Sequence, residues 1–316
     1  MDATFSFTVT EQQSGKNLLE CLLPCIPYLS HEQWLGLTTS GLVQVNSVSV
    51  GEGYVVSTGE IVLYTVPNYQ EAEVDTGWSL LWSNEQIAAI HKPANLPVNR
   101  TTRNVYNTLV QLLRRESPWS DAHLLHRLDL ETSGILLIAQ NNQVARQYQS
   151  TLSNLIKRKV YRAIVHGQPS WKNLEYECDL STLPDSAIRC QMHPVEDGKG
   201  KKSQTNFKVI ATCTEFSMIE CELLTGRKHQ IRAHLASLGH PIVGDKIYNH
   251  KGVFYLQRLE RPLIDKDYDV LLSRHHLLHA YELTLNNLWQ EGEDSIVIQD
   301  TAFPESWHKY LSLFTD

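Results

Sequence analysis

Apolar positions in the first 70 residues repeat first with the period of a helix and then with that of a strand. Four leucines between Leu18 and Leu23 share one helical face. Residues 30–33, Ser-His-Glu-Gln, have the form of a capping box that opens a second helix, and Gly41 is placed to end it. Alternation then predicts strands at 43–46, 48–50 and 60–64. We therefore predict a small α/β module at residues 1–70.

From residue 75 the pattern is dominated by strands, with few helices between them. An unbroken apolar run at 135–139 is typical of a strand buried on both faces. Helices are predicted from Asn104, over about 141–154 and over 228–238. Residues 249–274 show no clear period and predict an irregular surface insertion. The remaining strands are predicted at 78–82, 87–91, from Val160 onward, and at 174–180, 188–193, 203–211, 216–224 and 281–285.

Composition describes an ordinary globular chain. Of the 316 residues, 42% are hydrophobic and 20% are charged, and no apolar run approaches the roughly 20 residues that a membrane span needs. The first residues lack the basic start and apolar core of a signal peptide, so we expect a cytoplasmic protein without membrane attachment. Six cysteines without a C-x-x-C pair indicate neither a disulfide framework nor a zinc site.

Net charge is −7, which argues against nucleic-acid binding until its distribution is considered. Residues 1–70 contain Lys16 as their one basic residue against six acids. Residues 71–316 therefore hold 27 basic and 29 acidic residues, close to balance. This second part of the chain can carry a basic face.

The run H-R-L-D-L-E-T-S-G at residues 126–134 places Asp129 beside Arg127, just before the apolar strand. Partial burial raises the pKa of a carboxylic acid, whereas an adjacent guanidinium group lowers it and keeps the acid ionised. Such an aspartate can act as a nucleophile or as a base. The alternative interpretation is a structural Asp–Arg pair that orders a loop.

Two later runs add candidate residues. In K-R-K-V-Y-R-A-I-V-H-G, Tyr161 shares a strand face with Ala163, as a core tyrosine or as part of a site. In T-G-R-K-H-Q-I-R-A-H, Arg232 shares a helix face with His229. A buried arginine needs a carboxylate partner, and Asp129 is the obvious candidate.

His275 and His279 are four residues apart, a spacing that could bind a metal on a helix. Alternation through the following residues favours a strand instead, and no acidic third ligand is suitably spaced. No phosphate-binding, dinucleotide-binding or serine-hydrolase motif occurs in the sequence. We therefore predict neither a metal nor a cofactor.

These runs resemble the signatures of the RluA-type pseudouridine synthases, which contain H-R-L-D-x-x-T-S-G, then K-x-Y-x-A, then T-G-R-x-H-Q-I-R, and finally L-H-A. The resemblance covers about residues 75–290. It implies that Asp129 is the catalytic residue, that Tyr161 faces the target base and assists proton transfer, and that Arg232 pairs with the aspartate. It also implies that Leu278 packs against the tyrosine.

The resemblance implies an α+β fold, with a mostly antiparallel mixed sheet, helices and a central active-site cleft, in a catalytic domain at 75–316. The implied reaction converts uridine in structured RNA to pseudouridine, most often in large-subunit ribosomal RNA and otherwise in transfer RNA. The rival hypothesis is a ribosome-associated RNA-binding factor without turnover. Whether Asp129 attacks C1′ or removes the C2′ proton stays open. We expect a monomer whose further substrate-binding residues are His126, Arg127, Thr132, Arg227 and His229.

The N-terminal module resembles the alpha-L RNA-binding motif in its order of helices and in its G-L-V-Q-V-N turn. That motif normally offers several cations to phosphates, whereas this segment has one lysine. Two interpretations stay open, an RNA-binding module and a packing or spacer domain.

Overall fold

The structure is a computed structural model that describes residues 2–26, 29–101, 103–289 and 295–314. The chain divides into two compact units, Met1–Ala72 and Glu73–Asp316. Among the described residues, no helix is long and apolar enough to cross a membrane.

The N-terminal unit combines two helices with one antiparallel sheet. The capping box predicted before the second helix is present, since Ser30 accepts a hydrogen bond from the Gln33 amide and Gln33 accepts one from the Ser30 amide. The sheet order is β1-β4-β2-β3. The elements in chain order are β1 (Ala3–Thr8), α1 (Leu18–Cys25), α2 (His31–Thr39), β2 (Val43–Val45), β3 (Val48–Ser49) and β4 (Ile61–Val66).

Sequence analysis missed β1, although its residues alternate between buried and exposed positions. The strand pairs with β4 along its whole length, from Ala3 opposite Val66 to Thr8 opposite Ile61. The six residues of β1 carry too few apolar side chains to predict a strand from sequence alone. The strand forms because its whole length pairs with β4.

The second unit is built on one large sheet in the order β11-β10-β12-β13-β9-β14-β8-β6-β5, with β15 added to β14 and β7 added to β8. The described strand pairs are antiparallel except for β8 with β14. This confirms the predicted α+β class. The strands are β5 (Ser79–Ser83), β6 (Ile87–Lys92), β7 (His123–Leu124), β8 (Ser133–Ala139), β9 (Ile156–His166), β10 (Asn173–Ser181), β11 (His193–Val195), β12 (Lys201–Thr212), β13 (Phe216–Leu223), β14 (Leu278–Asn286) and β15 (Ser295–Gln299).

Helices of this unit connect and cover the strands. They are α3 (Leu109–Glu116), α4 (Asn142–Gln149), α5 (Leu152–Leu155), α6 (Gln230–Ser237), α7 (Val253–Glu260), α8 (Asp265–Leu271) and α9 (Glu305–Leu311). Short 3-10 turns occupy His250–Gly252 and Ser312–Phe314. Helix α6 packs against β11 and β12.

The parallel pairing of β8 with β14 is short, with Ser133 opposite His279 and Gly134 opposite Ala280. Gly134 has a φ of 103°, and a Cβ atom at this position would overlap the backbone of Ala280. Glycine is therefore required for the two strands to approach each other here. The large sheet thus consists of two antiparallel half-sheets that meet at this seam.

Two predicted helix boundaries were wrong. The helix predicted from Asn104 begins at Leu109 and is capped by Thr108, because Asn104 instead lies in a turn that its amide closes on the Thr101 hydroxyl. The helix predicted over 141–154 is two helices, α4 and α5, which are interrupted at Ser150 and Thr151. Polar residues that hydrogen-bond to the nearby backbone explain both differences.

Two further predictions failed because periodicity does not report tertiary packing. Residues 188–192 form a turn, and Ile188 is buried against the 3-10 turn at Gly252 instead of pairing in a strand. The segment 249–274, predicted to be irregular, contains that turn together with α7 and α8.

Candidate active site

Asp129 lies in the turn that leads into β8, and its carboxylate is 29% exposed. Hydrogen bonds at three residues that follow Asp129 hold this turn in place. Lys92 donates to the Leu130 carbonyl at 3.0 Å, the Thr132 hydroxyl bonds to His276 at 2.8 Å, and the Ser133 hydroxyl bonds to His279 at 2.8 Å. The aspartate is therefore presented at the surface of a rigid support.

Arg232 on α6 is the direct partner of Asp129. Its Nη1 donates to Asp129 Oδ2 at 2.8 Å, as the need of a buried arginine for a carboxylate predicts. Its other two nitrogens face a second carboxylate, with Nε 2.7 Å from Asp245 Oδ2 and Nη2 3.0 Å from Asp245 Oδ1. The guanidinium group is thus held in one orientation by two aspartates.

Sequence analysis missed the role of Asp245, although the residue stands in the G-D pair that follows the α6 run. Its side chain is fully buried and also accepts from the amides of Ile247 and Tyr248. Spacing along the chain cannot show that the arginine is shared, because Asp245 reaches it from a turn after the helix.

The electrostatics of the site keep Asp129 ionised. Burial alone would raise the pKa of Asp129, but the positive charge of Arg232 and the neighbouring His229 and His276 outweigh burial and lower it. The carboxylate is thus negatively charged at neutral pH. It can act as a base or as a nucleophile.

Tyr161 lies on β9 and is buried in the core of the large sheet. Burial raises the pKa of Tyr161 well above its usual value, and the negative charge of Asp129 raises it further. The phenol is therefore protonated at neutral pH. Leu278 pairs with Ala163, and Ala280 pairs with Tyr161, so Leu278 is a diagonal neighbour of the tyrosine on one sheet face.

His229 directly precedes α6 in a left-handed backbone conformation. Its Nε2 is 3.9 Å from Asp129 Oδ1, and its Nδ1 is 3.2 Å from the Tyr248 hydroxyl. Burial and the charge of Arg232 lower the pKa of His229 to about 4, so the ring is neutral. Tyr248 is a further residue that sequence analysis missed.

The other predicted substrate-binding residues divide into exposed and buried ones. Arg127 is exposed next to Asp129, and Arg227 is exposed but donates from Nε to the Lys202 carbonyl. His126 accepts a hydrogen bond from the Leu137 amide, and Thr132 is buried against His276. These polar atoms of His126 and Thr132 support the loop, and a role of either residue in substrate binding stays a prediction.

Glu131 links the loop to the segment that was predicted to be irregular. Its carboxylate accepts from Lys246 at 2.9 Å and from the His276 amide at 3.1 Å, and it lies 3.6 Å from Arg258 on α7. Burial alone would raise the pKa of Glu131, but Lys246 and His276 bring it down to about 2. The loop is thus tied on both sides of Asp129.

One histidine of the pair considered for metal binding, His279, is engaged in other hydrogen bonds. His279 lies on β14 and bonds to Ser133 and to the Asp300 carbonyl. Within the described ranges, no three His, Cys, Asp or Glu residues are grouped so that they could hold a metal ion.

Residues 86–237 match the family model described as RNA pseudouridylate synthase. A protein of Zymomonas mobilis named ribosomal large subunit pseudouridine synthase D is 30% identical over 259 residues, which cover 78% of this chain and 80% of that protein. An uncharacterized RNA pseudouridine synthase of Synechocystis is 31% identical over 258 residues, which cover 81% and 85%.

Solved structures agree on the fold. The human RNA pseudouridylate synthase domain containing 1 is similar with a TM-score of 0.56 and 22% identity, over 78% of this chain and 91% of that one. The human RNA pseudouridylate synthase domain containing 4 is similar with a TM-score of 0.54 and 24% identity, over 73% of this chain and 92% of that one.

Proposed function

Because the chain belongs to the RNA pseudouridine synthase family, we propose that it acts on a specific uridine of large-subunit ribosomal RNA with Asp129 as the catalytic residue. The protein is an RNA pseudouridine synthase, an isomerase. One observation carries the assignment of Asp129: its ionised carboxylate is held by Arg232 and lies near the protonated Tyr161. The ribosomal substrate is supported by the name of the Zymomonas relative.

The reaction moves uracil from an N1 link to a C5 link on the same ribose. The bond between C1′ and N1 breaks, the base turns over, and C5 joins C1′. The proton on C5 leaves, and N1 gains one. Substrate and product are isomers, so the residues need to manage one bond exchange and these protons.

Each role in the proposal follows from the charge state of its residue. The ionised Asp129 either attacks C1′ or removes the C2′ proton, and both routes use the same carboxylate. Arg232 keeps the aspartate charged and oriented. Tyr161, with Leu278 beside it on the same sheet face, holds the detached base. Because its phenol is protonated, Tyr161 gives up its own proton, which ends on N1, as it takes up the proton from C5.

The target base has to leave its stack before the reaction, at a cost of roughly a few kcal/mol. Arg127 is exposed beside Asp129 and is suited to fill the vacated space. The near balance of charges in residues 71–316 leaves little attraction for RNA in general. Recognition therefore depends on the shape of a structured target.

The proposal includes a monomer that acts in the cytoplasm. Asp129, Tyr161 and Arg232 all come from one unit of one chain, so the site needs no second copy. The described cysteine side chains are free thiols, which fits a reducing compartment. Whether the N-terminal unit contacts RNA is tested by deleting residues 1–72 and measuring RNA affinity.

The test is pseudouridine mapping of total RNA from cells with the gene intact, deleted, or carrying Asp129→Asn. We expect one site in large-subunit ribosomal RNA to disappear in both altered strains. Asp269→Asn, an exposed aspartate on α8, is the matched control and should leave the site modified. Loss of a transfer RNA site would replace the proposed substrate. Full modification in the Asp129→Asn strain would contradict the catalytic role and favour a non-catalytic RNA-binding factor.

A further inference from the structure

His229 is held in an unusual conformation between a tyrosine and the candidate catalytic aspartate. Its φ of 53° lies in the left-handed region, which is strained for a residue with a Cβ atom. The ring is 10% exposed, with the Tyr248 hydroxyl 3.2 Å from Nδ1 and Asp129 Oδ1 3.9 Å from Nε2. Each nitrogen of the ring thus faces one specific oxygen.

The hydrogen bonds around His229 indicate which nitrogen of its ring carries the proton. The Tyr248 oxygen accepts from the Met192 amide at 2.8 Å, so the single proton of the phenol is available to His229 Nδ1. A neutral ring that accepts at Nδ1 carries its own proton on Nε2. Because burial and Arg232 keep His229 neutral at pH 7, this ring presents an N–H donor toward Asp129.

Donor and carboxylate do not bond to each other, since 3.9 Å exceeds hydrogen-bond distance. The separation does suit one hydroxyl group about 2.8 Å from both atoms, which accepts from Nε2 and donates to Oδ1. A hydroxyl is a single small group that offers both functions at one oxygen.

The proposed reaction brings Asp129 to C1′ or C2′ of the target ribose, where the nearest hydroxyl is the 2′-hydroxyl. We propose that His229, oriented by Tyr248, and Asp129 together bind the 2′-hydroxyl of the target nucleotide and so select ribose over deoxyribose at that position. This inference rests on the proposed function and adds to it a specificity-determining residue and a positioning residue, Tyr248.

The test uses a stem-loop RNA that contains the mapped target uridine, made with ribose or with 2′-deoxyribose at that nucleotide alone. The ribose version gives a half-saturating concentration in single-turnover assays, and the deoxy version gives an inhibition constant as a competitor. For the wild type we expect the deoxy version to bind about tenfold more weakly or worse, because it leaves a buried donor unpaired.

Two substitutions at His229 separate recognition from support of the turn. His229→Asn tolerates the left-handed backbone but is too short to place a donor at the Nε2 position, so the preference for ribose should fall to about onefold. His229→Gln reaches that position with an amide and should restore part of the preference. Tyr248→Phe should weaken the preference, because the ring is no longer oriented. Thermal unfolding of each variant checks the fold.

A purely structural His229 predicts a different pattern, in which both RNA versions weaken together and the wild-type preference is kept. That result in His229→Asn, or a wild type without preference, would overturn the inference. A wild type that leaves the ribose version unconverted would overturn the proposed substrate, and the inference with it.

Discussion

Asp245 provides the sharpest prediction, because it bonds to Arg232 but has no role of its own in the proposed chemistry. Asp245→Asn removes the charge that faces two of the three guanidinium nitrogens, at 2.7 and 3.0 Å. Breaking a buried ion pair from one side costs about 3–5 kcal/mol. For a unit of this size that corresponds to roughly 6–20 °C in Tm.

Activity should fall further than stability explains. Without the second aspartate, the guanidinium group can turn toward Asp129 and displace the carboxylate from its position. A misplacement of about 1 Å at a reacting group can lower the rate by roughly a hundredfold. The assay is the single-turnover rate of pseudouridine formation at a temperature where thermal unfolding shows the variant folded.

Asp267→Asn is the matched control. Asp267 also binds an arginine through two contacts, at 2.7 and 3.2 Å, but Arg261 is 44% exposed on the surface. Exposed pairs contribute little, so both Tm and rate should stay near those of the wild type. A folded Asp245→Asn variant with the wild-type rate would refute the positioning role, and a variant with unchanged Tm would refute the stabilising one.

Three other substitutions test the remaining parts of the site. Tyr161→Phe should lower the single-turnover rate by roughly 10²–10⁴ without changing the half-saturating RNA concentration, and a wild-type rate would exclude proton transfer by this phenol. Arg127→Ala should weaken RNA binding without changing Tm, and unchanged affinity would contradict its role in filling the space of the flipped base. Because the pKa of Glu131 falls from 4.5 to about 2, linkage gives the native state about 3 kcal/mol that is present above pH 4.5 and lost as the pH falls toward 2. Glu131→Gln should therefore unfold at lower urea than the wild type at pH 7 and converge with it near pH 2, and parallel curves across this range would contradict the pairing with Lys246.

The sequence predicts a helix or strand well where the residues of that element alone show its apolar pattern or its capping residues. The apolar run 135–139 lies in β8, all of whose residues are buried, and the capping box at Ser30 forms as its residues predict. The strand predicted at 188–193 failed because Ile188 satisfies its need for burial against Gly252, a contact that periodicity cannot reveal.

The candidate site shows the same division. The pair of Asp129 and Arg232 could be predicted because a buried arginine requires a carboxylate and the motif supplied one. Asp245 and Tyr248 could not, because their contacts to Arg232 and His229 depend on how the chain turns after α6. Residues that support a reactive group have no sequence pattern of their own when the fold brings them from another segment.

The seam between β8 and β14 has a mechanical consequence. Asp129 belongs to the half-sheet that begins with β8, whereas Tyr161 lies on β9 and Arg232 on a helix that packs against β12. The bond between Arg232 and Asp129 therefore crosses a seam at which two residues of each strand are paired. The bonds of Thr132 to His276, of Ser133 to His279 and of Glu131 to Lys246 cross the same seam. The two half-sheets are thus joined beside the site largely by side chains of the Asp129 loop, so a substitution among these residues weakens the connection between the half-sheets together with the support of the aspartate.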